Sequence, residues 1–154
     1  MAGLTCGPVA TMAHTYIALH VHIVFATVGH RHTIPLHAVS DLHAYLAGIA
    51  RKRGCRVHQI GGITDHVHAL LEMRADLCVS ELVRDLKSAS SGMLHENGVS
   101  GFGWQRGYSA FSVSRSQLLR VEAYVRNQER HHRHRTYADE LATLLDLSQA
   151  SPRG

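Results

Sequence analysis

Between Tyr16 and Thr27 apolar residues take every second position: Ile17, Leu19, Val21, Ile23 and Phe25. Successive side chains of a strand point to opposite faces, so this spacing predicts a strand with one apolar face. From Val39 to Lys52 the repeat lengthens. Leu42, Tyr45, Leu46 and Ile49 recur at helical spacing, Ser40 or Asp41 stands near the start, and Gly54 ends the helix. Arg56 to Ile60 predicts a short strand, Gly61-Gly62 a turn or bulge, and Thr64 to Met73 another strand. Ser80 to Leu94 predicts a helix with Leu82, Val83, Leu86 and Ala89 inward. A glycine-rich link from Gly98 to Gly103 leads to a last strand over Trp104 to Val113.

Ser114-Arg115-Ser116-Gln117 has the spacing of a capping box and opens a helix to about His134. A short amphipathic helix follows over Tyr137 to Leu147. The order β-α-β-β-α-β, then two helices, implies an α+β fold: a ferredoxin-like antiparallel sheet with helices on one face. The Ser114 helix is extra to that core and needs a seat of its own. Residues 1–14 read as a flexible N-terminal tail, 15–147 as one domain and 148–154 as a flexible C-terminal tail.

Composition narrows the classes. At 154 residues, 45% hydrophobic and 18% charged, the chain is an ordinary globular protein able to bury a core. A formal charge of +4 and 14 histidines suit a polyanionic partner. Cys6, Cys55 and Cys78 are an odd set without CxxC spacing, so neither a disulfide framework nor a zinc ribbon is implied. The absence of a leader-like or membrane-length apolar run leads to the expectation of a cytoplasmic protein without a membrane partner.

His66 and His68 flank Val67 on a strand, so their imidazoles project from one face, at a spacing that suits a shared divalent ion. His20 and His22 offer the same spacing. Spacing alone leaves the choice open, and both pairs also fit the plain role of polar residues on a solvent face. Context favours His66 and His68, which follow a glycine turn and Asp65. His22 and Asp65 are candidate partners that orient the metal-facing imidazoles. Tyr124 and Gln128 lie four apart on the Ser114 helix and share a face. Tyr124 is a candidate nucleophile, or else a core-edge aromatic. Gln128 is a candidate oxygen ligand, and two imidazoles with an amide oxygen beside a phosphate suit Mg²⁺ or Mn²⁺. Arg31, Arg84, Lys87, Arg130 and Arg133 are candidate phosphate contacts, though basic residues near a helix C-terminus also answer its dipole.

These residues stand in a recognisable order: His22-Ile23-Val24-Phe25, then Gly61-Gly62-Ile63-Thr64-Asp65-His66-Val67-His68, then Leu86-Lys87-Ser88-Ala89-Ser90-Ser91. Trp104-Gln105-Arg106-Gly107-Tyr108-Ser109-Ala110-Phe111-Ser112-Val113-Ser114 and Tyr124-Val125-Arg126-Asn127-Gln128-Glu129-Arg130-His131-His132 complete it. From about Tyr16 to Glu140 the chain resembles the single-tyrosine HUH transposases of the smallest bacterial insertion sequences, the IS200/605 family. The resemblance implies His66, His68 and Gln128 as metal ligands and Tyr124 as the nucleophile that forms a 5′-phosphotyrosine with single-stranded DNA. It further implies hairpin DNA ends as partners, and a homodimer in which the tyrosine helix acts in trans. One departure is Val28-Gly29, which precedes His30-Arg31-His32 where relatives place a basic residue sooner. Three other readings remain open: a domesticated relative acting on chromosomal repeats, a noncatalytic nucleic-acid-binding module, and a histidine-rich metal-storage protein.

Overall fold

A computed structural model describes residues 15–149. The tail expected over residues 1–14, and residues 150–154 of the tail expected at the other end, lie outside them. Ser148 belongs instead to the last helix. Four strands, β1 (Leu19–Ala26), β2 (Arg56–Gly62), β3 (His66–Met73) and β4 (Ser109–Val113), form one sheet in the order β2-β3-β1-β4, with antiparallel neighbours throughout. Helices α1 (Val39–Lys52) and α2 (Val79–Glu96) pack on one face. The expected α+β, ferredoxin-like arrangement is what the chain adopts.

The alternation in β1 decides what each face carries. Ile23 and Phe25, with Val67, Ala69 and Leu71 of β3, meet Leu42 and Leu46 of α1 and Leu82, Val83 and Leu86 of α2. The opposite face carries His20, His22, Val24 and Ala26 of β1 beside His66, His68 and Leu70 of β3. It too is covered. Leu70 packs with Leu118 and Val125 of α3 (Leu118–Arg126). Val24, Ala26 and Phe111 pack with Tyr137, Leu141 and Leu144 of α5 (Tyr137–Ser148). The extra helix therefore seats on its own sheet.

Gly61 makes that seat. A Cβ there would stand 1.9 Å from the Val125 carbonyl oxygen, so only glycine lets the α3 backbone lie this close to β2. Gly62 has φ of 137° and makes the turn into β3.

Three expectations need correction. The last strand is shorter than Trp104 to Val113: only Ser109–Val113 joins the sheet, and Trp104 makes an isolated bridge with Thr27. The helix predicted from Ser114 to His134 is broken at Asn127, whose N–H is shared between the carbonyls of Ala123 and Tyr124 at 3.1 and 3.3 Å. A separate turn, α4 (Gln128–His131), follows. Ser114 makes no side-chain cap, because its hydroxyl pairs with that of Ser116 at 3.0 Å. The capping box lies at the start of α5, where Thr136 and Asp139 satisfy each other's backbone N–H.

Candidate active site

β3 delivers His66 and His68 to the face beneath α3 and α5, both fully buried. Solvated surface histidines are thereby excluded, and each imidazole has a partner that fixes its orientation. His66 Nδ1 lies 2.6 Å from Asp65 Oδ1, and the carboxylate accepts from it. His68 Nδ1 lies 2.8 Å from Nε2 of His22. Burial, then the neighbouring His68, lowers the His22 imidazole to about 3, so it is neutral and can accept from His68. Burial alone would raise the Asp65 carboxyl, but the His66 hydrogen bond and nearby imidazoles hold it below its usual range. Both motif histidines thus turn Nε2 toward the same space.

That space is closed by α3, α4 and α5. Gln128 directs Oε1 to within 3.2 Å of His66 Nε2. Glu140 of α5 places Oε2 3.5 Å from His66 Nε2 and 3.3 Å from His68 Nε2. Its other oxygen, Oε1, accepts the Tyr124 hydroxyl and, at 3.0 Å, the Gln128 amide N–H. One carboxylate therefore joins the histidine pair to the phenol. His132 Nε2 lies 2.9 Å from Glu140 Oε2, and its Nδ1 lies 2.8 Å from the Arg135 carbonyl oxygen. Both acceptors lack hydrogens, so His132 carries a proton on each nitrogen. Burial opposes that charge, but Glu140 outweighs it and raises the imidazole above its ordinary value. Burial would likewise raise the Glu140 carboxyl, yet His132, His68 and Tyr124 hold it well below the carboxylate range. Burial and the Glu140 charge push the Tyr124 phenol up, so it rests protonated.

The donor set fits a cation. His68 Nε2 is buried and makes no hydrogen bond among the described residues, although a carboxylate oxygen is near. Ligands held tetrahedrally at about 2.0–2.1 Å from one ion stand about 3.3–3.4 Å apart. The distances from Glu140 Oε2 to the two imidazoles, 3.5 and 3.3 Å, are of that size. Two imidazoles, a carboxylate and an amide oxygen suit a borderline or hard divalent ion.

Sequence reasoning missed Glu140 and did not single out His132. A signal for Glu140 was present: it falls on the buried stripe of α5 with Tyr137, Leu141 and Leu144, where a carboxylate needs a partner.

The candidate phosphate contacts divide. Arg130 and Arg133 are exposed and line a cleft of about 680 Å³ with Tyr124, Asn127, His131, His134 and Arg135. Arg31 is exposed in the loop after β1, where Nε donates to the Val28 carbonyl at 3.3 Å. Arg84 lies on α2, across the sheet from His66, beside Asp85 at 3.3 Å. Lys87 is not a free cation, since Nζ donates to the carbonyls of Gln105 and Gly107 and so fixes that loop. Trp104 belongs to the core edge. Its ring meets Phe25 and Phe102, and its indole N–H donates to Ser90 Oγ at 3.0 Å. No helix among the described residues is long and apolar enough to cross a membrane.

Known proteins resemble this chain in sequence and in fold. A family described as transposase IS200 like matches residues 15–128. The ISDra2 transposase TnpA of Deinococcus radiodurans is 28% identical over 118 residues, which is 71% of this chain and 84% of that protein. The transposase for insertion sequence element IS200 of Salmonella typhimurium is 27% identical over 133 residues, 79% of this chain and 84% of its own length. Among solved structures, one assigned to a transposase of Deinococcus radiodurans R1 superposes with a TM-score of 0.60 at 21% identity, covering 77% of this chain and 97% of that one. A REP-associated tyrosine transposase bound to a REP hairpin has a TM-score of 0.50 at 14% identity, covering 73% of this chain and 67% of the other. The family match takes in β1 to β4, α3, both motif histidines, Tyr124 and Gln128, and on that match this chain belongs to the IS200-like transposase family.

Proposed function

We propose that this chain cuts and rejoins single-stranded DNA at insertion-sequence ends, with Tyr124 as nucleophile and a divalent ion, Mg²⁺ or Mn²⁺, at His66, His68, Gln128 and Glu140. The observation that carries the reading is the Glu140 carboxylate, which faces the two histidines with one oxygen and the tyrosine hydroxyl with the other. Such an ion, when bound, would polarise the scissile phosphate and offset the charge of Glu140. Tyr124 Oη attacks phosphorus, the bond to the 3′ oxygen breaks, and the phenol proton, relayed through Glu140 Oε1, ends on that 3′ oxygen. The products are a 5′-phosphotyrosine and a free 3′-hydroxyl, which can attack a second phosphotyrosine and restore a strand. Arg130 and Arg133, in the cleft beside Tyr124, are suited to hold the backbone.

In this chain Tyr124 and Gln128 reach the histidines of their own β3. A homodimer working in trans would place α3 on the sheet of the second copy and reproduce these contacts between chains. Mixing Tyr124→Phe with His66→Ala protein separates the two. Activity restored in the mixture supports the trans homodimer, and a mixture as inert as its parts supports completion within one chain. A domesticated relative acting on repeat hairpins would share this chemistry, and the fold likeness to the hairpin-bound REP transposase keeps that reading alongside.

Incubating the protein with single-stranded DNA from the flanks of its own gene, with Mn²⁺ or Mg²⁺, and resolving the products on a denaturing gel tests the proposal. A metal-dependent protein–DNA band that disappears in Tyr124→Phe and His66→Ala is expected. Tight binding without such a band would favour the noncatalytic module.

A further inference from the structure

Of the two HxH pairs in the sequence, His22 is used to orient His68. His20 is not, yet it is 95% buried, at 5% exposure. It stands directly opposite Glu72 of β3 in the strand register. From the other side, β2 slips its register between Val57 and Gln59, and the residue at the slip is His58. Such irregularities re-aim a side chain. Here His58 Nε2 comes 3.7 Å from Glu72 Oε2, while His20 Nε2 lies 4.0 Å from the same oxygen. The two rings meet edge-on at 5.3 Å, and the three ligand atoms lie within 4.8 Å of one another.

We infer that His20, His58 and Glu72 form a second divalent-cation site, apart from the one beside Tyr124, which clips β1, β2 and β3 together. It stands four residues along β3 from His68, about 13 Å at strand rise. Among the described residues His58 Nε2 is buried without a hydrogen-bond partner. No two of the three ligand atoms are close enough to hydrogen-bond. Their separations of 3.7 and 4.0 Å slightly exceed the spacing of about 3.4 Å around a tetrahedral ion. Two imidazoles and one carboxylate suit a borderline ion of the zinc class better than Mg²⁺, which demands oxygen. Glu122 of α3 adds negative charge near His58. Arg56 competes, with a guanidinium nitrogen 3.9 Å from Glu72 Oε2, but its side chain is 77% exposed and can withdraw into water. The inference rests on the sheet and not on the cleavage reading.

Zn²⁺ is the probe. The full chain carrying His66→Ala and His68→Ala, which lacks the first site, is titrated calorimetrically and its metal content measured after gel filtration. One tightly held Zn²⁺ per chain is expected. Adding Glu72→Gln, which keeps size and shape, or His58→Gln should weaken it by more than about tenfold with an unchanged far-UV spectrum. No tight Zn²⁺ in the folded double variant, or binding indifferent to both further changes, would overturn the site. In the otherwise wild-type chain Glu72→Gln should lower the Zn²⁺ count by one. An unchanged count would likewise refute the inference.

Discussion

The two faces of the sheet are built by the same alternation and packed by the same number of major helices, yet they do different work. Beneath α1 and α2 lie Ile23, Phe25, Val67, Ala69 and Leu71, a hydrocarbon face whose contribution is burial. Beneath α3 and α5 lie His20, His22, His66 and His68, buried almost as deeply. Buried imidazoles are costly unless each nitrogen has a partner, so the second face must be a connected polar network or a metal site. Shape suffices on the first face. On the second, stability and chemistry both depend on which group each nitrogen meets.

The contrast can be broken from either side. Gly61→Val should have the largest effect: its side chain collides with the Val125 carbonyl and lifts α3 from β2. Adduct formation should fall by at least about a hundredfold, about 2.7 kcal/mol in barrier terms, while far-UV dichroism shows the sheet intact. Wild-type activity in this variant would mean that α3 need not seat there. Leu86→Ala acts on the other face and should cost about 2–5 kcal/mol in denaturant unfolding. Its Mn²⁺ affinity, read by calorimetry, should stay within about twofold of wild type if the faces are independent.

Acid sharpens the comparison. His22 and His68 are held at about 3 and about 4 in the folded chain, against an ordinary value of 6.5. Between those values the unfolded chain binds more protons, so stability falls as pH drops. Without metal, on the order of 4 kcal/mol should be lost between pH 7 and pH 5 for the pair, about 2 for each histidine, measured by urea titration at each pH. His132, whose value is raised, acts in the opposite window: its contribution is complete below 6.5 and fades at higher pH. A flat profile over pH 5–7 would mean that the buried pair is not held neutral. The smallest effect is expected at Arg130→Ala, which should weaken single-stranded DNA binding for every sequence and reduce the salt slope by about one. An unchanged slope would remove Arg130 from the backbone path.

How much of this the sequence reveals follows from the distance over which each feature is set. The parity of β3 places His66 and His68 together, and the four-residue step from Tyr124 to Gln128 survives the break at Asn127. Both are local. Gly61 reads as a turn or bulge, but its closer task depends on Val125 of α3, more than sixty residues away. Glu140 depends on how α5 lies across the sheet, and it falls beyond the family match, which ends at residue 128. Lys87 and Arg84 carry the same charge on one helix. Only packing shows that Lys87 is committed to the carbonyls of Gln105 and Gly107.

In the proposed reaction one carboxylate, Glu140, serves both the ion and the nucleophile. The most direct test is the rate of covalent adduct formation by Glu140→Gln with flank-derived single-stranded DNA and Mn²⁺, compared with wild type in the same gel series. The expected rate is lower by at least about a hundredfold with DNA binding retained. A rate equal to wild type, or faster, would contradict it and make Glu140 a bystander or an obstruction in the site.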